Sequence, residues 1–399
     1  MATAESRRGH GTLIFRFDKA LATCWALILL GIWSAAAPVA AITVDIRPLC
    51  EVTGGCTASD FLVSHPEALG TLQFAAQAYE AFADQLTALP SSPGWTATLT
   101  NPNTGAAGFS LANLAIPANT LVILAGGRDL AGNFVGEAGP GMANISLSRG
   151  QGGITGSTAT DFATWGGSIA FDTLNNGVPR NWHFGIDSLP APGQLDFLTI
   201  AFHELAHVFG FGTSDSFSNL VSGNQFHGTK SILLTGAPVG MSPDQDHWAT
   251  GTTSPPYTTE PLSALTPTLT LGKRRTLTPL DFAALDDLGW EIPERLLGLH
   301  GDVDQDGDVD GRDLLFWQRG FGLTGPGLLG DPSGDQVVDG FDLWLWQANF
   351  GQTSSSGNSG IHANVPEPRG VRLLGFALLW SALLPRALRA AVCDSGPTT

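Results

Sequence analysis

The sequence predicts an α+β body followed by a small all-α module. Apolar residues recur at helical spacing in two long segments, and short strand-like runs separated by glycine and asparagine lie between them. Near the end, two aspartate-rich loops are each followed by a short apolar segment of helical length. A helix, a small twisted sheet and a second helix are the layers of an α+β fold.

The composition of the chain fits a loop-rich globular protein. It has 399 residues, of which 43% are hydrophobic, with 50 glycines and 25 prolines. Only 14% of the residues are charged and the net charge is −17, so nucleic acid is excluded as an expected partner. Between Asp302 and Asp342 there are ten aspartates and two arginines, which favours bound hard cations over a solvated acidic tail.

Both ends of the chain have the pattern of processing signals. Residues 1–41 combine a basic start with an apolar run and small residues, which is typical of a secretory signal peptide. An uncleaved membrane anchor is the alternative for this segment. Residues 365–399 begin with V-P-E-P and continue with an apolar run and arginines, and they resemble the PEP-CTERM sorting signal that an exosortase cleaves in Gram-negative bacteria. We therefore expect a secreted or cell-surface protein that contacts a membrane only through its terminal segments.

The α+β body is predicted over residues 42–293. The predicted helices are His65–Leu89, Gln194–Phe209 and Leu277–Trp290. The predicted strands are Trp95–Leu99, Thr120–Leu124 and Gly167–Phe171. Cys50 and Cys56 lie at the start of this body, where an exported protein would join them in a disulfide. A two-cysteine metal site is the alternative for this pair.

The strongest chemical signal is the run QLDFLTIAFHELAHVF at residues 194–209. His203 and His207 are four residues apart, so on a helix both imidazoles lie on one face and can bind one metal ion. Glu204 is then placed to take a proton from metal-bound water, whose pKa zinc lowers to about 7. The alternative is a helix with two packed histidines and no metal.

The segment HELAHVFGF, from His203 to Phe211, resembles the metzincin zinc metalloproteases, and in particular the leishmanolysin-like members. The histidine that usually completes the short motif is replaced by Thr213, which is not a plausible zinc ligand. The resemblance implies a distant third ligand within a His-Trp pair, which His247 provides. Asp215 and His227 remain alternatives.

The same resemblance implies a strand for substrate pairing and a support beneath the metal. Residues 166–171 are similar to the metzincin edge strand, which implies that substrate backbone pairs near Ile169 by strand addition. The methionine turn of the family is not kept, because Met241 precedes the third ligand and Thr266 stands where a methionine is expected.

Two calcium loops are predicted in the second region. Residues 302–313 (DVDQDGDVDGRD) have acids at loop positions 1, 3, 5, 9 and 12 and glycine at position 6, as in an EF-hand. The pattern returns 29 residues later at 331–342, where Gln336 replaces the glycine and predicts weaker binding. Position 7 is expected to contribute a backbone carbonyl. The predicted ligands are Asp302, Asp304, Asp306, Asp308 and Asp313 for the first calcium, and Asp331, Ser333, Asp335, Val337 and Asp342 for the second.

Two such loop-and-helix units in tandem resemble a dockerin module, predicted over residues 294–352 with a linker at 353–364. In dockerins the paired helices bind a cohesin, which implies a cohesin-like or cell-wall partner. An intramolecular role is equally open.

Together these features predict an exported zinc endopeptidase that acts on protein or peptide substrates and carries a calcium module. His203, His207 and His247 would hold Zn²⁺ and Glu204 would activate water. The alternative is a non-catalytic surface or matrix protein, with a degenerate metalloprotease scaffold and a binding dockerin-like module. The intact Glu204 argues against a scaffold, since a scaffold has no need of a general base. A zinc hydrolase acting on glycans is the third hypothesis.

Overall fold

A computed structural model of the chain describes residues 41–92, 94–145, 148–149, 152–153, 162–257 and 263–354. The predicted sorting segment and nearly all of the predicted signal peptide and linker lie outside these ranges. No helix within them is long and apolar enough to cross a membrane.

Nine α-helices and one 3₁₀ helix lie in the described ranges. They are α1 (Leu49–Thr53), α2 (Phe61–Ser64), α3 (Pro66–Glu80), α4 (Phe197–Val208), α5 (Asp215–Leu220), α6 (Thr229–Thr235), α7 (Pro279–Asp287), the 3₁₀ helix Glu294–Leu297, α8 (Gly311–Gly320) and α9 (Gly340–Asn349). Local capping explains where two of them begin. The side chain of Asp196 accepts a hydrogen bond from the amide of Thr199 at the start of α4, and a capping box joins Thr278 and Asp281 at the start of α7.

Sixteen short strands lie in the same ranges. They are β1 (Thr43–Pro48), β2 (Thr96–Leu99), β3 (Phe109–Ala112), β4 (Thr120–Arg128), β5 (Gly136–Pro140), β6 (Met142–Ala143), β7 (Ser148–Arg149), β8 (Gly152–Gly153), β9 (Gly166–Asp172), β10 (Leu174–Asn175), β11 (Val178–Pro179), β12 (Trp182–His183), β13 (Leu195–Asp196), β14 (Val221–Ser222), β15 (Gln225–Phe226) and β16 (Val239–Gly240). The main sheet has the order β1-β4-β9-β5, in which β1, β4 and β9 are parallel and β5 is antiparallel. The remaining strands form ribbons of two or three strands.

The central strand β4 is buried on both faces. Its residues Leu121, Ile123 and Ala125 face the larger apolar cluster, which contains the helices. Val122 and Leu124 face a smaller cluster that also contains Trp95 and Trp165. Because side chains alternate between the faces of a strand, a continuous apolar run is what a strand between two cores requires.

The predicted helix His65–Leu89 is wrong in its C-terminal part, because α3 ends at Glu80. Beyond it the backbone of Leu89 exchanges two hydrogen bonds with that of Ile116, of 2.9 and 2.8 Å. These bonds use the backbone groups that a helix would satisfy internally. Leu86 and Leu89 are buried, so their apolar character reflects tertiary packing and not helical periodicity.

The predicted edge strand is also wrong, because β9 lies inside the main sheet. Ile169 pairs with Ala125 on one side and with Ala138 on the other, so no substrate backbone can pair there. The sheet has two edge strands, β1 and, next to β9, β5. The sequence of β5, GEAGP, lacks the alternation of apolar and polar residues that identifies a strand, which is why sequence reasoning missed it.

The second region packs against the first. Trp344 of α9 contacts Phe74 of α3 and Phe202 of α4, with ring centroids 5.4 and 5.8 Å apart. One compact unit extends to Ser356 and includes both regions. The boundary predicted at 293/294 therefore separates two sequence modules whose side chains share one apolar cluster.

A disulfide joins Cys50 in α1 to Cys56. Between them the helix ends at Thr53, and the capping residue Gly54 has a φ of 73°, the left-handed conformation that glycine favours at a helix end. Both cysteines are used in this bond, which leaves neither thiol free for a two-cysteine metal site.

Candidate metal centre

The side chains of His203 and His207 lie on one face of α4 and are fixed by backbone carbonyls. Nδ1 of His203 lies 2.8 Å from the carbonyl oxygen of Ala264, and Nδ1 of His207 lies 2.8 Å from that of Phe211. A carbonyl only accepts hydrogen bonds, so each Nδ1 carries the proton and donates it. Each Nε2 is left with a lone pair, which is the form in which imidazole binds a metal.

His247 lies beside His203 and His207 and belongs to the segment 241–248. A Cβ at Gly212 would overlap the carbonyl of Asp246, so the glycine lets this segment lie against the end of α4. The neighbouring Trp248 is fully buried, and its Nε1 donates a 2.8 Å hydrogen bond to the carboxylate of Asp281 in α7. The helix α7 thus anchors the residue next to His247.

The three Nε2 atoms converge. Nε2 of His203 lies 3.1 Å from Nε2 of His207 and 3.1 Å from Nε2 of His247. Nδ1 of His247 is 3.1 Å from the carboxylate of Asp244, so in the neutral imidazole Nδ1 donates and Nε2 presents a lone pair. Three lone pairs directed at one another repel unless a cation lies between them. Zn–N bonds of about 2.0–2.1 Å in a tetrahedron place the nitrogens about 3.3 Å apart, so this donor set fits zinc.

The alternative third ligands lie elsewhere. Thr213, which stands at the position of the usual third histidine and is not one of these alternatives, donates a 2.6 Å hydrogen bond from its hydroxyl to the carbonyl of His207. Asp215 is the first residue of α5, and His227 is exposed with its Nε2 3.3 Å from the carbonyl of Ser222. Within the described ranges, neither joins the group of potential metal ligands that contains His247.

Burial keeps His203 and His207 neutral. It lowers the pKa of His203 well below the usual value, and the neighbouring His207 and His247 lower it further. Burial, followed by His247, lowers the pKa of His207 to about 4. Both side chains are therefore neutral at pH 7, as metal binding requires.

Glu204 is buried beside the histidines, with 5% of its surface exposed. A methyl group at Gly136 of β5 would overlap its carboxylate, so the glycine provides the space that Glu204 occupies. Burial, and then the charge of Glu137, raises the pKa of Glu204 to about 8. A carboxyl group with this pKa is mostly protonated at pH 7. A cation held by the neighbouring histidines would lower the pKa again and favour the carboxylate that a general base requires.

The histidines and Glu204 line an open cleft of about 940 Å³. Residues 136–138 of β5 form part of its wall. Thr266 is buried and also lines the cleft, and its hydroxyl accepts a hydrogen bond from Arg275. A polar pair therefore stands where the family resemblance leads one to expect a methionine.

The first aspartate-rich loop gathers oxygen ligands. Carboxylate oxygens of Asp302, Asp304 and Asp306 lie within 4.8 Å of one another. Oδ1 of Asp304 is buried and has no hydrogen-bond partner among the described residues. Burial raises the pKa of Asp302 to about 6, which shows how costly its charge is without a cation. Asp313 is fully buried and accepts a 2.6 Å hydrogen bond from the amide of Val303.

The second loop keeps the same backbone course. Gln336 has a φ of 71° where the first loop has Gly307 at 96°, so a non-glycine residue takes the left-handed turn. At position 7, Asp308 pairs with Thr353 and Val337 pairs with Thr324 in isolated bridges. Both loops therefore have a left-handed residue at position 6 and an isolated bridge at position 7.

The acids of the second loop are engaged within the protein. Oδ1 of Asp331 accepts hydrogen bonds from the hydroxyl of Ser333 and the amide of Gly334, at 3.0 and 2.7 Å. Burial raises the pKa of Asp335 to about 6 and that of Asp342 to about 7. Among the described residues, these oxygens do not form a metal-ligand group as close as that of the first loop. The second loop has Ser333 where the first has Asp304, and the weaker binding expected from Gln336 stays a prediction.

Sequence reasoning missed three residues that build the centre. Gly136 makes room for Glu204, Asp244 orients His247, and Asp281 anchors the residue after it. Only Asp244 had a visible signal, since it lies three residues before the histidine in PDQDHW. The other two act across the fold, where spacing along the chain carries no information.

No protein-family model matches the chain, and comparison with curated proteins and with solved structures gives no significant match. The chemistry of the centre is therefore inferred from its own residues and geometry.

The variant His247→Ala is expected to weaken zinc binding by more than about 100-fold, because loss even of an outer partner of a metal ligand costs about 10- to 100-fold. His227→Ala is the matched control and should bind zinc as the wild type does. Competition with a chromophoric zinc chelator measures both. An equal loss in the two variants would contradict the assignment of His247.

The variant Gly136→Ala is expected to destabilise the protein by about 1–3 kcal/mol, because the added methyl group displaces the buried carboxylate of Glu204. Gly139→Ala is the control on the same strand, since a methyl group there meets nothing within 4 Å. It should change stability by less than about 0.5 kcal/mol. Urea unfolding measures the free energy of unfolding of both variants. Similar losses of stability in the two would contradict this packing of Glu204.

Proposed function

We propose that the protein is an exported zinc-dependent endopeptidase. The observation that carries this proposal is the convergence of three histidine Nε2 atoms beside the buried Glu204, at the wall of an open cleft. A structural zinc site is closed by four protein ligands, whereas a catalytic site keeps one position open. Three histidines next to a buried glutamate, at an open cleft, match the second kind.

The roles of the residues follow from their chemistry. His203, His207 and His247 would hold the zinc, which when bound lowers the pKa of a water molecule and polarises a carbonyl group. Glu204 accepts the proton of the attacking water and then delivers it to the leaving amine. No side chain acts as nucleophile, so no acyl-enzyme forms and the peptide bond is cleaved directly by water.

An extended peptide is the substrate that the cleft fits best. The strand β5 is the antiparallel edge of the main sheet, and its residues 136–138 line the cleft. An extended chain can add to such an edge through its backbone, largely independently of its side chains. This assignment replaces the pairing predicted near Ile169.

We also propose that calcium binds to the two loops, more tightly at 302–313 than at 331–342. The support is the cluster of carboxylate oxygens in the first loop, one of them buried without a hydrogen-bond partner. Calcium prefers oxygen ligands of this kind in flexible loops. The cation would offset the repulsion among the aspartates, whose pKa values burial raises.

The proposal of export depends on the terminal segments and on the disulfide. The signal-like residues 1–41 and the PEP-CTERM-like residues 365–399 support secretion or attachment at the surface of a Gram-negative bacterium. The Cys50–Cys56 bond supports an oxidising compartment, because disulfides persist there and are rare in the cytosol.

The variant Glu204→Gln tests the function. It should bind zinc as the wild type does. Its rate of hydrolysis of an unfolded protein substrate should fall about 100- to 10,000-fold, because the amide cannot accept the proton. Glu67→Gln, at an exposed position in α3, is the control and should keep full activity. A wild type that binds zinc and cleaves nothing would favour the non-catalytic scaffold.

Calorimetric titration of calcium into the metal-free protein should show a tighter and a weaker site. Asp302→Asn removes a ligand of the first loop and should abolish the tighter site, whereas Asp335→Asn should abolish the weaker one. A single binding event that neither substitution changes would contradict the assignment of the loops.

A further inference from the structure

The helix α9 buries its apolar face against the body that carries the histidines. Phe341, Trp344 and Leu345 are between 2% and 6% exposed and belong to the same apolar cluster as α3 and α4. The cluster includes no residue of α8 among those described. Leu315 of α8 is 48% exposed. The two helices of the calcium module are thus unequal, and only the second is covered over its apolar face.

The covered face meets α4 directly behind the metal centre. The rings of Trp344 and Phe202 are 5.8 Å apart, and Phe202 immediately precedes the ligand His203. Trp344 and Phe341 also contact Phe74 of α3 edge to face, with ring centroids 5.4 and 5.3 Å apart. These aromatic residues fill the space between α3 and α4 on one side and α9 on the other. Loss of α9 would therefore uncover the back of α4 beside His203.

The second calcium loop fixes the start of α9. Asp342 is the twelfth loop residue and also lies in the first turn of the helix, where it accepts hydrogen bonds from the amides of Asp339 and Ser333, at 2.8 and 3.1 Å. The loop is tied to the body as well. Nη1 of Arg295, in the 3₁₀ helix after α7, donates a 2.9 Å hydrogen bond to the carbonyl of Asp331.

The two loops also hold each other. Nε1 of Trp317 in α8 donates a 2.7 Å hydrogen bond to the carbonyl of Asp339, and Nε1 of Trp346 in α9 donates one of 2.7 Å to the carbonyl of Asp310. Each helix therefore supports the loop of the other unit. The start of α9 at Asp339 is thereby hydrogen-bonded to α8 of the first unit.

We propose that the calcium module is an internal brace of the zinc centre: a cation in the loop 331–342 holds α9 in place, and Trp344 then supports α4 at Phe202. The partner of the apolar face of α9 is this chain's own catalytic body. The inference rests on the proposed function in that the loops bind calcium and the histidines bind zinc. Because coupling between two sites is reciprocal, calcium strengthens zinc binding and zinc strengthens calcium binding by the same factor.

The first test measures the zinc dissociation constant of the full-length chain in calcium-saturated and in calcium-free buffer. Removal of calcium should raise this constant by about 5- to 150-fold, the usual range of coupling between sites. In Trp344→Ala the effect should fall below about two-fold. Leu315→Ala is the control: it removes a side chain that is 48% exposed on α8 and should keep the calcium effect of the wild type.

The second test requires no zinc. Calcium should slow amide hydrogen exchange in α4 by at least about five-fold in the wild type, and should not do so in Trp344→Ala. Asp342→Asn keeps the aromatic contacts but loses a ligand of the second loop, and it should remove the same protection. This variant decides the question if Trp344→Ala fails to fold.

The outcomes separate the brace from the proposed enzyme. Zinc binding and α4 exchange that both ignore calcium would overturn the brace and leave the endopeptidase proposal intact. Calcium-dependent protection of α4 in a chain that binds no zinc would support the brace and refute the zinc enzyme. A wild type that binds no calcium would overturn the brace.

Discussion

Three imidazole lone pairs directed at one point are the constraint on which the rest of the structure depends. Each ring keeps its orientation because its Nδ1 faces an oxygen: the carbonyls of Ala264 and Phe211 and the carboxylate of Asp244. These oxygens belong to three separate segments of the chain, so all three segments must be in place at once. The metal centre therefore depends on three segments of the fold and not on α4 alone.

The position of these segments depends in turn on a buried carboxylate. Asp281 is fully buried, and burial raises its pKa, yet it accepts hydrogen bonds from Trp248, Ser263 and Thr278. Such a group is tolerated inside a protein only when its hydrogen bonds are satisfied. Asp281 thereby joins α7 to the segment that carries His247, through Trp248, and to the segment that contains Ser263.

The module of residues 294–352 adds a further buried contact to the predicted body. Its second helix closes the apolar cluster behind α4, so the two sequence modules bury surface against each other. An aromatic face of this size would be costly to expose to water. The covering of that face within the chain, together with the hydrogen bonds between the loops, favours the intramolecular role that the sequence left open.

Features that depend on near neighbours along the chain could be predicted from the order of the residues. The spacing of His203 and His207, the glutamate between them and the twelve-residue loops follow from the helical period and from turn geometry. His247, 44 residues beyond His203, was expected only through the family resemblance, and it is the tertiary structure that brings it to the other two histidines. The tertiary structure also sets the edge strand β5, the end of α3 at Glu80 and the docking of α9. Each of these depends on backbone pairs or buried contacts between distant segments, and a linear pattern does not record which distant segment supplies the partner.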